Sequence, residues 1–207
     1  MSQTKLYGIS GSRAFRSLWA IEEVGIDYEH VETSFRGDAG QPEYLAINPN
    51  GRIPALVDGD LQLFESMAIN LYLARRYGGD LMPADVEGEA LATQWSVWGI
   101  SEIEPLQMQI VVQKFFMPED KRDQRVIDGA AKGLHRPLNV LNDALADRQY
   151  LLGDSFTIAD LNLAGVMDLL NMIQFDLSQW PNIQRWLRAC CDRPSHCLLY
   201  TSDAADE

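Results

Sequence analysis

Residues 48–59 read NPNGRIPALVDG, and this stretch places a proline at the start of a short apolar strand. Residues 55–57 have the strand pattern, and the Asp-Gly dipeptide at 58–59 is favoured in two-residue hairpin turns. Proline has no backbone N–H, so Pro54 cannot donate a hydrogen bond to a neighbouring strand. The stretch therefore predicts a β-hairpin that opens at Pro54 and leaves the backbone of Ile53 unpaired at an accessible place.

The segments on both sides of this hairpin predict a small sheet with helices. Before it, residues 5–9 and 27–32 read as strands, and residues 13–25 between them read as a helix that ends at a glycine. After it, residues 65–79 read as a helix with a Gly-Gly stop. The order β-α-β and then β-β-α predicts an α/β domain over residues 1–79.

Helical patterns replace strand patterns after a Gly- and Pro-containing linker. Residues 87–116 and 119–147 read as long helices, which Pro105 and Pro137 are expected to kink or break. These patterns predict a second, all-α domain over residues 87–196.

A capping-box pattern marks the start of a later helix in this second domain. Thr157 is followed three residues later by Asp160, and an apolar run begins directly after Thr157. We therefore predict a helix that starts after Thr157.

Charge and composition exclude several classes of partner and cofactor. The chain has 207 residues and a net charge of −13, and nucleic-acid binding needs a basic surface. We expect no signal peptide, and the sequence has no apolar run long enough to cross a membrane. The three cysteines all come late, and neither they nor the scattered histidines have the spacing of metal ligands. The sequence thus predicts a cytoplasmic protein with no metal, no nucleic-acid partner and no membrane partner.

Four motifs together resemble the cytosolic glutathione S-transferase family, in particular its Ser-type, bacterial-like members. They are GSRAFRSLWAIEEVG at 11–25, INPNGRIPALVDG at 47–59, LFESMAINLYLARRY at 63–77 and FTIADLNL at 156–163. The resemblance implies a thioredoxin-like N-terminal domain and an all-α C-terminal domain. It also implies a homodimer that uses glutathione as co-substrate and needs no other cofactor.

In the family that this chain resembles, the proline of the hairpin motif follows a cis peptide bond. The resemblance implies that the backbone of Ile53, before Pro54, pairs with the cysteinyl backbone of glutathione like a short added strand. The alternative is that Pro54 merely starts a hairpin.

The resemblance also assigns charged and polar residues to the two ends of glutathione. Ser66 and the start of its helix suit the γ-glutamyl carboxylate, and Glu65 suits the ammonium group. Arg52 suits the glycyl carboxylate, and Asn50 orients the loop. The alternatives are an ordinary helix cap at 65–66, a solvated charge at Arg52 and a simple turn residue at Asn50.

A serine hydroxyl at a helix N-terminus can donate a hydrogen bond that favours the thiolate form of glutathione. In Ser-type relatives the active serine lies four residues before an arginine, and Ser12 stands at that distance from Arg16. Ser12 is therefore the predicted catalytic residue, and Ser10 is the alternative. Other classes of the family use a tyrosine near this part of the chain to activate the thiol. We nevertheless expect Tyr7 to pack in the sheet.

Several apolar side chains of the predicted helical domain have two interpretations. They can line a pocket for an apolar electrophile, or they can form ordinary helix core, which is the more common case and our expectation. They are Trp95, Trp98, Met108, Phe115 and Phe116.

The final stretch, CLLYTSDAADE at 197–207, can be back-translated into a DNA string that resembles a sequencing-library adapter. We interpret residues 197–207 as a non-native tail and expect the natural chain to differ after about His196. The alternative is a natural, flexible acidic tail.

The resemblance implies a glutathione transferase that activates the glutathione thiolate for attack on an electrophilic small molecule. A glutathione-dependent isomerase or dehalogenase would use the same thiolate. The alternative from another class is a non-catalytic interaction module with the same fold, since fold alone does not fix function.

Overall fold

The computed structural model describes residues 4–197, which divide into two compact units. The first contains residues 4–84 and 192–197 of the described chain, and the second contains Asp85–Cys191. Residues 192–196 were expected in the helical domain but group with the first unit, because they contact its first helix. Of the predicted tail, only Cys197 is described; residues 198–207 lie outside the described residues.

The first unit contains one four-stranded sheet in the order β2-β1-β3-β4. β1 and β2 are parallel, and the pairs β1-β3 and β3-β4 are antiparallel. The predicted β-α-β and β-β-α order is confirmed, and the fold is thioredoxin-like. The strands are β1 Thr4–Tyr7, β2 Tyr28–Val31, β3 Ala55–Asp58 and β4 Leu61–Phe64, and the helices are α1 Ala14–Val24, α2 Pro42–Leu45 and α3 Ser66–Tyr77.

Both faces of this sheet are covered, as the alternation of side chains along β1 and β3 requires. Leu6 and Leu56 are opposite each other and fully buried. The next pair, Tyr7 and Ala55, lies on the other face, where Ala55 is clustered with buried Tyr44. α1 and α3 supply further fully buried side chains, namely Trp19, Ile21, Ile69 and Leu73.

The hairpin turn lies one residue later than predicted. Asp58 pairs with Leu61, so the two loop residues are Gly59 and Asp60, and not 58–59. Gly59 has φ 63° at the first loop position, which is where a type II′ turn requires glycine. The shift leaves Asp58 as the last residue of β3.

Asp58 anchors the C-terminal half of α3 to the sheet. Tyr72 and Tyr77 donate hydrogen bonds to one carboxylate oxygen at 2.7 and 2.6 Å, and Thr4 donates to the other at 3.0 Å. Burial pushes the pKa of Asp58 upward, but these hydrogen bonds outweigh it and hold the pKa below its ordinary value. Burial and the bond to Asp58 raise the pKa of Tyr72 to about 12.

The second unit consists of helices and an isolated β-bridge between Tyr150 and Gly153. Pro105 lies in the first turn of a helix, directly after a π-helical segment, so the predicted interruption there is confirmed. Pro137 does not break its helix, because it is buried together with Leu134 and Leu138 and this packing holds the helix across the missing N–H. The helices are α4 Val86–Trp98, α5 Glu104–Val111, α6 Gln124–Ala144, α7 Ile158–Met172 and α8 Pro181–Cys191, and the π-helical segments are Gly99–Ile103 and Val112–Phe116. Among residues 4–197, no helix is both long and apolar enough to cross a membrane.

The predicted capping box at the start of α7 is confirmed. The Asp160 carboxylate is fully buried and accepts hydrogen bonds from the N–H and hydroxyl of Thr157, both at 3.0 Å. It also accepts the N–H of Leu151 at 2.7 Å and the indole N–H of Trp186 at 2.9 Å. Burial raises the pKa of Asp160, and these four bonds act against that rise.

Candidate active site

The strand register brings three chain segments of the first unit to one end of the sheet. Tyr7, the last residue of β1, pairs with Ala55, the first residue of β3. Ala55 pairs in turn with Phe64, the last residue of β4. The residues after Tyr7, before Ala55 and after Phe64 therefore meet at this end. The predicted residues Ser12, Asn50, Arg52, Ile53, Pro54, Glu65 and Ser66 all lie on these three segments.

The Ile53-Pro54 peptide bond is cis, as predicted. Neither the N–H nor the C=O of Ile53 has a hydrogen-bond partner among residues 4–197. The Ile53 side chain is buried and packs with Ala55 and Ile9. Nearby Gly8 has φ 146°, and a Cβ there would lie 2.3 Å from the Cβ of Ala14, so only glycine fits this crossing. The arrangement leaves the two backbone groups of Ile53 available to a ligand.

Two buried residues that sequence reasoning missed hold the loop before Ile53. The carbonyl of Arg52 accepts hydrogen bonds from the Tyr44 hydroxyl and the Asn48 amide, both at 2.6 Å. The side-chain oxygen of Asn48 accepts the backbone N–H of Asn50 at 3.1 Å and its side-chain amide at 3.0 Å. Asn50 and Arg52 themselves are exposed. Asn48 stands before a proline, where asparagine favours local turns, and this signal could have pointed to it.

Tyr44 is held in its neutral, donating form. Burial raises its pKa to about 12, although the hydrogen bond with Asn48 acts in the opposite direction. The phenol therefore keeps its proton for the Arg52 carbonyl over the whole physiological range.

The start of α3 is open. Glu65 has φ 72° and ψ 113°, an unusual backbone conformation for a residue other than glycine, and its exposed side chain does not cap the helix. Ser66 is buried, yet its hydroxyl has no hydrogen-bond partner within residues 4–197. The backbone N–H groups of residues 66–68 also have no hydrogen-bond partner within residues 4–197, since the first bond of the helix runs from Ile69 N–H to the Glu65 carbonyl. The alternative interpretation of residues 65–66 as an ordinary side-chain cap is therefore wrong.

The Ser12 hydroxyl is engaged within the turn before α1. It donates to the Ile9 carbonyl at 2.7 Å and accepts the Ala14 N–H at 3.1 Å. Ser12 is partly exposed, so rotation about its side chain could redirect the proton to a ligand. Arg16, which marked the four-residue spacing, is buried in α1. Ser10 also lies in this turn, and its carbonyl accepts the Ser12 N–H at 2.7 Å.

Two of the five apolar side chains singled out in the helical unit, Phe115 and Phe116, are not core residues, which corrects our expectation for these two. The rings of Trp95 and Trp98 meet edge to face at 5.2 Å and are only partly buried. Phe115 and Phe116, on the second π-helical segment, are each 55% exposed. Met108 is partly buried. π-helical segments inside α-helices are frequent at functional sites, so the exposure of these two rings fits a contact surface better than a core.

The described residues, His30 included, form no metal centre. His30 is exposed on β2, and its Nε2 lies 2.8 Å from the Gly8 carbonyl. Between residues 4 and 197, no three His, Cys, Asp or Glu side chains come close enough together to hold a metal ion.

Comparison with known proteins identifies the family. Residues 2–75 match the model of the glutathione S-transferase N-terminal domain, and residues 103–194 match that of the C-terminal domain. Glutathione S-transferase 4 of Zea mays is 35% identical over 198 residues, which cover 92% of this chain and 89% of the relative. The chain belongs to the glutathione S-transferase family.

Solved structures of similar proteins include complexes with glutathione or a derivative. Glutathione S-transferase I with lactoylglutathione superposes with a TM-score of 0.86 and 33% identity, over 96% of this chain and 98% of that one. The theta-class enzyme of Xanthomonas axonopodis pv. citri with bound glutathione has a TM-score of 0.87 and 31% identity, over 95% and 96% of the two chains.

Proposed function

We propose that this protein is a glutathione transferase, which activates the thiol of glutathione for attack on an electrophilic small molecule. The observation that carries the proposal is the open end of the sheet. There the unpaired backbone of Ile53 lies beside the free N–H groups of residues 66–68 and the unpartnered hydroxyl of Ser66. Family membership and two relatives solved with glutathione or a derivative support the same ligand.

Each charged group of glutathione has a partner in this proposal. The γ-glutamyl carboxylate binds the Ser66 hydroxyl and the start of α3, where free N–H groups and the helix dipole favour an anion. The nearby ammonium binds the exposed carboxylate of Glu65, and the glycyl carboxylate binds exposed Arg52. The cysteinyl backbone pairs with Ile53, and Asn50 fixes the loop that carries both Arg52 and Ile53.

Ser12 supplies the hydrogen bond that stabilises the thiolate. On binding, its O–H turns from the Ile9 carbonyl to the glutathione sulfur, while its oxygen still accepts the Ala14 N–H. The thiol proton leaves to solvent, the thiolate attacks the electrophilic carbon to form an S–C bond, and the leaving group departs with its electron pair. A preformed donor and a bound nucleophile provide the rate gain.

The second substrate in this proposal is an apolar electrophile. We also assign the protein to the cytoplasm and to a two-fold homodimer, because both are typical of the family.

A non-catalytic interaction module with the same fold is the second candidate. The observation that favours it is the commitment of the Ser12 proton to the Ile9 carbonyl. Capture on immobilised glutathione is expected of the transferase and not of the interaction module, and only a transferase forms a thioether with a chloronitroarene. An isomerase or dehalogenase that uses the same thiolate would be revealed by turnover of a maleyl or a halogenated compound.

The Ser12→Ala variant tests the assignment of the catalytic serine. Loss of one hydrogen bond to an anion, at roughly 1.5–3 kcal/mol, should raise the pKa of the bound thiol by about one to two units. Thiolate absorbance against pH in the glutathione complex measures that pKa, and calorimetry should show nearly unchanged glutathione affinity. Ser10→Ala is the matched control and should change the thiol pKa much less. A rise with Ser10→Ala but not with Ser12→Ala would transfer the role to Ser10.

A further inference from the structure

Residues 193–196, which we call the C-terminal strap, lie along α1 within the first unit. The strap contacts the last part of α1 through Glu23, its middle through Trp19 and its first turn through Phe15. Ser195 and His196 are 9% and 6% exposed, so the last two residues of the strap are part of the packed interior. It follows that the position of α1 depends on chain far from it in sequence.

The end of the strap at Glu23 is held by a network around a carboxylate. Arg193 Nε lies 3.1 Å from both Glu23 oxygens, and Arg193 Nη2 and the Ser195 hydroxyl also donate to them. Trp19 Nε1 donates to the Ser195 hydroxyl at 3.1 Å. Burial would raise the pKa of Glu23, but the bonds from Arg193 and Ser195 keep it below its ordinary value. The carboxylate therefore stays ionised and bonded at neutral pH.

The other end of the strap reaches the turn that carries Ser12. The ring of His196 meets those of Trp19 and Phe15 edge to face, at centroid distances of 4.7 and 5.4 Å. The Phe15 N–H donates to the Ser12 carbonyl at 3.0 Å. His196 and Ser12 are therefore separated by a single residue that contacts both.

We propose that the C-terminal strap positions Ser12, with His196 packing on Phe15 to fix the first turn of α1. The inference rests on the proposed role of Ser12 in thiolate stabilisation. α1 has no side-chain cap at Arg13, so its first turn is held by the Ser12 hydroxyl and by packing. When the His196 ring is removed, Phe15 is free to shift. The Ser12 oxygen then moves away from the position at which it donates to the glutathione sulfur. A misplaced donor weakens the hydrogen bond steeply with distance and angle.

A double-mutant cycle between His196→Ala and Ser12→Ala tests this role, with the pKa of the bound glutathione thiol as readout. His196→Ala alone should raise that pKa by about 0.5 to 1 unit, because a displaced donor stabilises the thiolate less. It should lower kcat and leave glutathione affinity within about twofold, since the groups proposed to hold the rest of glutathione are untouched. In the Ser12→Ala background, His196→Ala should add no further shift.

Three further variants separate positioning from general stability. His196→Phe keeps the ring contacts and should retain the thiol pKa of the unaltered protein. Thr157→Ala destabilises the other unit at its helix cap and should leave the thiol pKa unchanged. Ser195→Ala removes two hydrogen bonds, the one to Glu23 and the one from Trp19, without removing the ring. It provides the same test at smaller amplitude if His196→Ala does not fold.

Each contrary result has a distinct meaning. A shift from His196→Ala that is equal in both backgrounds, or absent from both, overturns the proposed positioning while the role of Ser12 stands. A thiol pKa that does not respond to Ser12→Ala itself overturns the role of Ser12, and the inference about the strap then fails with it.

Discussion

The starts of α3 and α7 are two helix ends of opposite design. At α7 the buried carboxylate of Asp160 accepts four hydrogen bonds, so that end is closed by the protein's own groups. At α3, Glu65 does not cap the helix, and Ser66 is buried with an unpartnered hydroxyl. The closed end serves stability, and the open end keeps its donors for a ligand.

The open end is tolerated because α3 is anchored elsewhere. Its C-terminal half carries Tyr72 and Tyr77, which both donate to Asp58 on the sheet, and its middle buries Ile69 and Leu73 completely. A helix that is fixed by its packing can leave its first N–H groups unpaired at modest cost. The residues that fix α3 in place are therefore different from the residues that are proposed to bind a ligand at its N-terminus.

Asp160→Ala should give the largest effect, because it breaks the closed end. Leu151 N–H, Thr157 N–H and the Trp186 indole would be left buried without an acceptor, at a total cost of roughly 3–5 kcal/mol. Urea denaturation measures this loss in the free energy of unfolding. A loss below about 1 kcal/mol would show that the network contributes little. Asp143→Ala, which removes an exposed carboxylate from α6 of the same unit, is the control.

Removal of the protein groups that are proposed to bind glutathione at the open end should give the second-largest effect. This effect should be on glutathione affinity and not on stability. Ser66→Ala or Glu65→Ala should lose one charged hydrogen bond each, roughly 1.5–3 kcal/mol or about tenfold to hundredfold in glutathione affinity. The melting temperature should not fall, since neither side chain caps the helix. Unchanged affinity in both variants, measured by calorimetry, would remove these residues from the site.

Glu65→Gly should separate backbone strain from binding at the same position. Glycine adopts φ 72° without a steric penalty, so this variant should gain about 0.5–1 kcal/mol of stability while it loses affinity as Glu65→Ala does. Thermal unfolding compares Glu65→Gly directly with Glu65→Ala. A glycine variant no more stable than the alanine variant would mean that the Glu65 conformation stores no strain.

The smallest effect should come from pH, acting on the anchor of α3. The pKa of Asp58 is lowered on folding, so its contribution to stability is present above the unfolded carboxyl pKa and is lost as pH falls through the folded pKa. The pKa of Tyr72 is raised to about 12, so its contribution is present below the unfolded phenol pKa and is lost as pH rises towards about 12. Asp58→Asn should flatten the pH dependence of the melting temperature at both limits. A profile that Asp58→Asn leaves unchanged would show that the anchor does not depend on the charge.

The sequence predicts this fold well because its signals are local. The hairpin, the helix that ends at Gly25 and the capping box at Thr157 are all specified by residues a few positions apart. The turn was misplaced by one residue because both Asp58-Gly59 and Gly59-Asp60 fit a two-residue loop, and only the register with Leu61 distinguishes them. The break that was one of two possibilities at Pro137 does not occur, because burial, which is a tertiary effect, offsets the cost of the proline.

The candidate site was predicted less completely, because its support comes from distant chain. The motifs indicated which residues of the first unit meet a ligand, but not that Tyr44 and Asn48 hold the Arg52 carbonyl. They gave no sign that the Ser12 hydroxyl bonds to Ile9, or that residues 192–196 return to α1. Such contacts depend on three-dimensional proximity, which spacing along the chain does not encode.

The most direct test of the open helix end uses calorimetry with two ligands and two proteins. The ligands are glutathione and an analogue whose γ-glutamyl carboxylate is converted to an amide, and the proteins are the unaltered chain and Ser66→Ala. If the start of α3 binds that carboxylate, the unaltered chain should lose about tenfold to hundredfold in affinity for the analogue. Ser66→Ala should discriminate less between the two ligands, because only the N–H groups of the helix start remain to bind the carboxylate. An unaltered chain that binds the analogue as tightly as glutathione would contradict the account, since the start of α3 would then not bind the carboxylate.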